Sequence, residues 1–165
     1  VYIPTWHRWE AYKKSISSLS LVGSTQHSWI VFTDGFELGK QIITLLEEKS
    51  VKPIIVTRGE KYSQENPHSF KIDLDNKNGY LELFQAIKEQ MQNPIILHLS
   101  SYTETDKDIL SSKEIDEQLS LSFYSLLYLT QAYIEVIGNR MTLKFGIITA
   151  GVQQILGTEK INPIN

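Results

Sequence analysis

The chain has 165 residues and a formal net charge of −3, with 41% hydrophobic and 21% charged residues. This length and composition are typical of one globular domain that is large enough to bury a core. The small negative charge gives no electrostatic reason to expect nucleic acid or an anionic membrane as a partner. The absence of cysteine excludes a disulfide framework, a thiolate nucleophile and a cysteine-based zinc site.

The sequence shows no sign of membrane insertion or secretion. Its apolar runs are much shorter than the roughly 20 residues that span a bilayer, and no signal peptide is visible. We therefore expect a cytoplasmic protein that contacts no membrane. Because the chain begins at Val1 rather than Met and ends abruptly at Asn165, we also expect it to be a piece of a longer polypeptide.

Strand-like segments recur along the chain. The first, Tyr2–Trp6, is short and contains a proline, so it predicts at best an edge strand. A Ser-rich stretch follows it, and we assign residues 1–28 to a leading strand and linker and residues 29–165 to the folded domain. Continuous apolar runs indicate buried parallel strands. These runs, with one shorter segment, are Trp29–Thr33, Pro53–Thr57, Phe70–Leu74, Pro94–Ser100 and Thr142–Thr149.

Helical spacing of apolar residues separates these strands. It predicts helices over about Phe36–Lys49, about Asn78–Gln92 and about Lys113–Ile137, the second with Asp75 or Asn76 as its cap. Strands that alternate with helices of this length indicate parallel βαβ units. The predicted fold class is therefore α/β, with an open, mostly parallel, Rossmann-like sheet flanked by helices.

The turn after the first buried strand reads Asp-Gly-Phe-Glu-Leu-Gly. A dinucleotide-binding loop needs glycines for the turn, for close approach to the pyrophosphate and for helix–strand packing. Gly35 can make the turn and Gly39 can pack the helix, but Phe36 and Glu37 fill the position between them. Asp34 and Glu37 have the spacing of a capping box, which would occupy the N–H groups that a phosphate otherwise uses. We predict no cofactor-binding residue in this loop.

Two alternative functions stay open. Arg58 follows the second buried strand, about 20 residues after the loop, where NADP-binding folds hold a residue for the 2′-phosphate. It therefore favours a cofactor-binding Rossmann domain of a short-chain reductase with a variant loop, although a single strand-end arginine is more often a surface charge. A phosphorylatable receiver-like domain that uses Asp34 is the weaker alternative, because Lys144 lies too early, within the last strand.

Catalytic patterns are missing from the sequence. None of the eight tyrosines has a lysine four residues later, the pair with which a short-chain reductase protonates a carbonyl oxygen. No Gly-x-Ser-x-Gly elbow is present. We expect His98 to be hydrogen-bonded by its neighbours, and Asp73 and Asp75 to have strand-end or capping roles. The sequence thus predicts no catalytic residue and no metal ligand.

The order of these segments resembles the structural subdomain of polyketide synthase ketoreductases. Val1–Trp9 is similar to the strand that leads into that subdomain, and Trp29–Lys49 is similar to its first strand, degenerate glycine turn and first helix. The later strands and helices resemble the family in the same order. These segments are Pro53–Tyr62, Phe70–Ile87, Pro94–Tyr102, Ser125–Tyr133 and Leu143–Leu156.

The resemblance implies a truncated, non-catalytic half over residues 29–165 that supports a second half. That second half would hold NADPH and the catalytic tyrosine, so the resemblance implies no cofactor in this chain. The implied partners are the catalytic ketoreductase half and neighbouring synthase domains, among them a methyltransferase or a dehydratase. A pseudo-ketoreductase of a methylating module is also compatible with it. We expect the partner half to contact the long helix around Phe123, Leu127, Tyr133 and Ile134.

Overall fold

The computed structural model describes residues 27–101, 111–138 and 143–149. The predicted strand Tyr2–Trp6 lies outside these residues. The described part contains six strands, which are β1 (Trp29–Phe32), β2 (Ile54–Arg58), β3 (Ser63–Asn66), β4 (Ser69–Ile72), β5 (Ile95–His98) and β6 (Lys144–Ile147). They form one sheet in the order β3-β4-β2-β1-β5-β6. All neighbouring pairs are parallel except β3 with β4, which confirms the predicted α/β fold with a mostly parallel sheet.

The helices agree with the predicted segments, with one interruption. They are α1 (Glu37–Glu48), α2 (Lys77–Ile87), α3 (Ser112–Leu119) and α4 (Ser125–Val136). The predicted long helix is α3 and α4 together, joined by a π-helical segment over Ser120–Tyr124. None of the helices in the described ranges is long and apolar enough to cross a membrane.

Strand β3 was not predicted from the sequence. Its residues, Ser-Gln-Glu-Asn, are all exposed, and it lies at the edge of the sheet antiparallel to β4. A strand with both faces in water has no apolar alternation, which is the signal on which strand prediction depends. An antiparallel strand therefore connects β2 to β4 where a doubly wound sheet has a crossover helix.

The main core lies between the sheet and the helices α2 and α4. It includes fully buried aromatic side chains from both layers, such as Phe32 and Phe70 from the sheet and Tyr80 and Phe84 from α2. Helix α1 covers the other face of the sheet, where Val31, Leu46 and Leu99 form a smaller buried cluster.

The parallel strands end together at one edge of the sheet. There the turn after β1 reaches Gly35, β2 ends at Arg58, and β5 ends at His98. Open α/β sheets bind their ligands at the carboxyl ends of such strands. This edge is therefore the expected position of a ligand site.

Candidate functional site

The turn between β1 and α1 depends on two glycines, as predicted. Gly35 has a φ of +89°, in the left-handed region that favours glycine, and its N–H donates to Thr33 Oγ1 at 3.2 Å. Gly39 lies so close to β1 that an added Cβ would overlap Thr33 Oγ1. The turn role of Gly35 and the packing role of Gly39 are both confirmed.

The predicted capping box between Asp34 and Glu37 is wrong. Helix α1 begins at Glu37, its N-cap is Phe36, and no side chain accepts a hydrogen bond at that cap. The Glu37 side chain instead accepts from Gln41 Nε2 at 3.3 Å, one turn further along the helix. Asp34 and Glu37 therefore do not cap α1 as a pair.

Asp34 still places a carboxylate ahead of α1. Burial raises the pKa of the Asp34 carboxyl above its ordinary value, while the backbone N–H groups of Asp34 and Phe36 act in the opposite direction. An anion that approached the first turn of α1 would meet this carboxylate, and like charges at short range repel. It would also meet Phe36, whose side chain is 52% exposed. Neither neighbour favours a bound pyrophosphate.

Arg58 is already paired at the same edge. Its Nη2 lies 3.1 Å from Asp75 Oδ2, and both side chains are close to half exposed. Asp73 Oδ1 accepts from the Asp75 N–H at 2.9 Å, and Asn76, one of the two predicted caps, caps α2 by accepting from the Asn78 N–H at 3.0 Å. These contacts agree with a surface ion pair, a strand-end turn and a helix cap. The described residues contain no cluster of three or more metal-ligating side chains.

His98 is fully buried and hydrogen-bonded on both ring nitrogens, as predicted. Its Nε2 lies 2.9 Å from Ser125 Oγ, and its Nδ1 lies 3.1 Å from Ser101 Oγ. Burial lowers the pKa of this imidazole to about 4, so the ring is neutral near pH 7. Phe32 stacks beside it, with ring centroids 6.1 Å apart. Because no face of the ring is open to solvent, His98 is not a candidate for catalysis.

The long helix carries an exposed apolar stripe. Phe123, Leu127 and Ile134 are 59%, 36% and 67% exposed, and with Thr130 they follow the spacing i, i+4, i+7 and i+11. Residues with this spacing line one face of a helix. Tyr133, which was predicted on the same face, is buried, and its ring packs edge-on against Phe84 at 5.5 Å. That part of the prediction is wrong.

A cavity of about 560 Å³ lies at the opposite edge of the sheet from Gly35. Its lining includes Pro53 and Ile55 at the start of β2 and His68 beside the β3–β4 turn. It therefore opens at the amino ends of the strands. The cavity is therefore not at the carboxyl ends of the strands, where a dinucleotide would be expected.

Residues 29–149 match the family described as beta-ketoacyl synthase-like, N-terminal. Because the match covers well over half of the chain, the chain belongs to this family. No curated protein matches it significantly. The family description names a synthase, whereas three solved structures with a similar fold are reductases or contain one.

The fold is similar to part of an adenylation, ketoreductase and pseudo Asub multidomain structure of a keto acid-selecting NRPS module. The TM-score is 0.70 at 20% identity, over 83% of this chain and 11% of that one. An N-terminal ketoreductase from the macrolactin assembly line gives 0.61 at 20% identity, over 73% and 25%. A Serratia marcescens short-chain dehydrogenase/reductase double mutant gives 0.52 at 12% identity, over 79% and 60%. The chain thus spans less than two thirds of each structure, and at these identities the likeness establishes the fold alone.

Proposed function

We propose that this chain is the non-catalytic structural half of a polyketide synthase ketoreductase. In this proposal it supports a second half, which binds NADPH and reduces β-ketoacyl chains. Because the chain spans only 25% and 11% of the two ketoreductase-containing structures it resembles, reduction itself is assigned to the larger assembly. The chain contributes a rigid sheet and a partner surface.

The observation that carries the proposal is the turn between β1 and α1. The backbone keeps the shape of a nucleotide-binding turn, with Gly35 at positive φ and Gly39 against β1. The approach to the helix, however, holds the Asp34 carboxylate and the exposed Phe36 ring. A fold under pressure to bind a pyrophosphate would keep this position small and free of negative charge. A structural half has no such requirement.

The alternative, a cofactor-binding domain with a variant loop, depended on Arg58. In a bound complex this guanidinium would have to leave Asp75 before it could pair with a 2′-phosphate. The missing Tyr-x-x-x-Lys pair also leaves the chain without the usual proton donor for a carbonyl oxygen. We therefore favour the structural half over this alternative.

The partner surface in this proposal is the apolar stripe, defined as Phe123, Leu127, Thr130 and Ile134. Exposed apolar patches mark interaction sites more often than scattered single residues do. The 4-3-4 spacing of the stripe is that of helices which pack along each other. The proposed partner is the catalytic ketoreductase half, within a cytoplasmic synthase that also contains neighbouring domains, such as a methyltransferase or a dehydratase. If that half lacks its catalytic residues, the pair is a pseudo-ketoreductase.

This assignment predicts the effect of charges on the stripe. Leu127→Asp together with Ile134→Asp should weaken co-purification with the catalytic half of the parent synthase by at least about tenfold, because two buried carboxylates would lack partners. Pull-down of the co-expressed halves, followed by sedimentation of the complex, measures the loss.

The matched control is Thr44→Asp together with Leu45→Asp, two exposed positions on α1 across the sheet from α4. It adds the same charge without touching the stripe, and it should leave the complex intact. Undiminished association of the Leu127 and Ile134 double variant would contradict the assignment of this face.

A further inference from the structure

The long helix changes its register beside His98. The backbone N–H of Ser125 donates to the carbonyl of Ser120, five residues back. In a regular α-helix it would donate to Leu121, four residues back. The π-helix is rare, occurs mostly as a single turn inside an α-helix, and is frequently found at functional sites.

The hydroxyl of Ser125 donates to the Leu121 carbonyl, which the backbone N–H of Ser125 no longer reaches. Ser125 Oγ lies 2.6 Å from this carbonyl oxygen. His98 Nε2 lies 2.9 Å from the same Ser125 Oγ. Because the hydroxyl proton is used by the carbonyl, Oγ accepts the hydrogen bond from an Nε2–H. The other ring nitrogen, Nδ1, then accepts from the Ser101 hydroxyl at 3.1 Å. The four groups form one directed chain from Ser101 through His98 and Ser125 to the helix backbone.

We infer that His98 and Ser125 are positioning residues that hold the π-helical segment and thereby fix how Phe123 is presented at the surface. His98 and Ser125 are fully buried, so water does not compete for their bonds. Phe123 and Tyr124 lie inside the segment, with their rings in edge-on contact at 5.4 Å and both exposed. The hydrogen-bonded chain therefore links the end of β5 to the π-helical segment that contains Phe123, the first residue of the apolar stripe. The importance of this hydrogen-bonded chain for partner binding rests on the proposed function, whereas its effect on the helix does not.

Amide hydrogen exchange, measured by NMR on the full chain, tests this inference. Ser125→Ala should accelerate exchange of the backbone N–H groups at positions 124 and 125 by about fivefold or more, because it removes one buried hydrogen bond. His98→Leu, which keeps the volume and removes the donor, should do the same. His98→Gln should stay close to the wild type, because its side-chain amide can still donate to Ser125. For the exchange measurement alone, Thr130→Ala is the matched control, since it removes a hydroxyl that bonds a helix carbonyl away from His98.

Exchange within about twofold of the wild type in Ser125→Ala would overturn the inference. So would a His98→Gln variant that exchanges as fast as His98→Leu, because the donated hydrogen bond would then not be what holds the segment. Association with the catalytic half is read separately. If exchange accelerates as expected and association is unchanged, the positioning role stands and the proposed partner face fails.

Discussion

At the scale of single residues, the contact between Thr33 and Gly39 sets the position of α1. The helix lies against the end of β1 so closely that only a hydrogen atom fits at the Cα of Gly39. The same Thr33 Oγ1 accepts the N–H of Gly35 and so stabilises the turn. One hydroxyl therefore orients both the turn and the helix that follows it.

Gly39→Ala should lower the free energy of unfolding by about 2 kcal/mol, the usual cost of forcing a methyl group into a packed site. In a Thr33→Ala background the cost should fall to about 1 kcal/mol or less, because the overlapping oxygen is gone and alanine favours the helix. Urea denaturation of the wild type, the two single variants and the double variant measures both values. Equal costs in the two backgrounds would show that Thr33 is not the obstacle.

His98 makes stability depend on pH. Its folded pKa of about 4 lies below the ordinary value of 6.5, so the unfolded chain binds the proton more readily. The contribution of the buried neutral ring is complete above the unfolded pKa and is lost as the pH falls from 6.5 towards 4. Between about pH 7 and about pH 5, the wild type should lose about 2 kcal/mol more than a His98→Gln variant.

Urea denaturation of the wild type and His98→Gln at several pH values provides this comparison. The carboxylates that also titrate at low pH are common to both proteins, so the difference between the two curves reports the histidine. Parallel curves for the two proteins would contradict the neutral, buried state of His98.

At the scale of secondary structure, helix ends were harder to predict than helices. The capping box at Asp34 and Glu37 failed because the positive φ of Gly35 and the extended Phe36 lengthen the turn, so that α1 begins at Glu37. The spacing was right, but the cap lay two residues later. A real capping box joins Ser111 and Glu114 ahead of α3, where the same Ser-x-x-Glu pattern could have been recognised in the sequence.

The face of the long helix was also assigned too broadly. Tyr133 and Ile134 are consecutive and therefore point about 100° apart around a helix. Both cannot lie at the centre of one face, and the structure places the Tyr133 ring in the core and Ile134 at the surface. The π-helical segment could not be predicted, because it depends on the contact between Ser125 and His98, which are 27 residues apart. Apolar periodicity carries no information about such a contact.

At the scale of the whole molecule, the mostly parallel sheet and its flanking helices were the most predictable features. Strands such as Trp29–Phe32 and Ile95–His98 are largely buried and pair in parallel, as continuous apolar strands should. What the sequence could not give was the polar edge strand β3, which replaces a crossover helix. In the described part of the chain, α1 is the only helix that contributes side chains to the buried cluster on that face of the sheet. This shortened architecture agrees with a half that is completed by a partner.

The fold alone does not decide the function, because proteins that bind dinucleotides and proteins that do not can share it. The turn between β1 and α1 is therefore the decisive feature. Isothermal titration calorimetry of the isolated chain with NADPH at millimolar concentration tests the account most directly. We predict no heat of binding, because Asp34 and Phe36 occupy the approach to α1. Saturable binding that weakens in an Arg58→Ala variant would contradict the account and would identify the chain as a cofactor-binding domain.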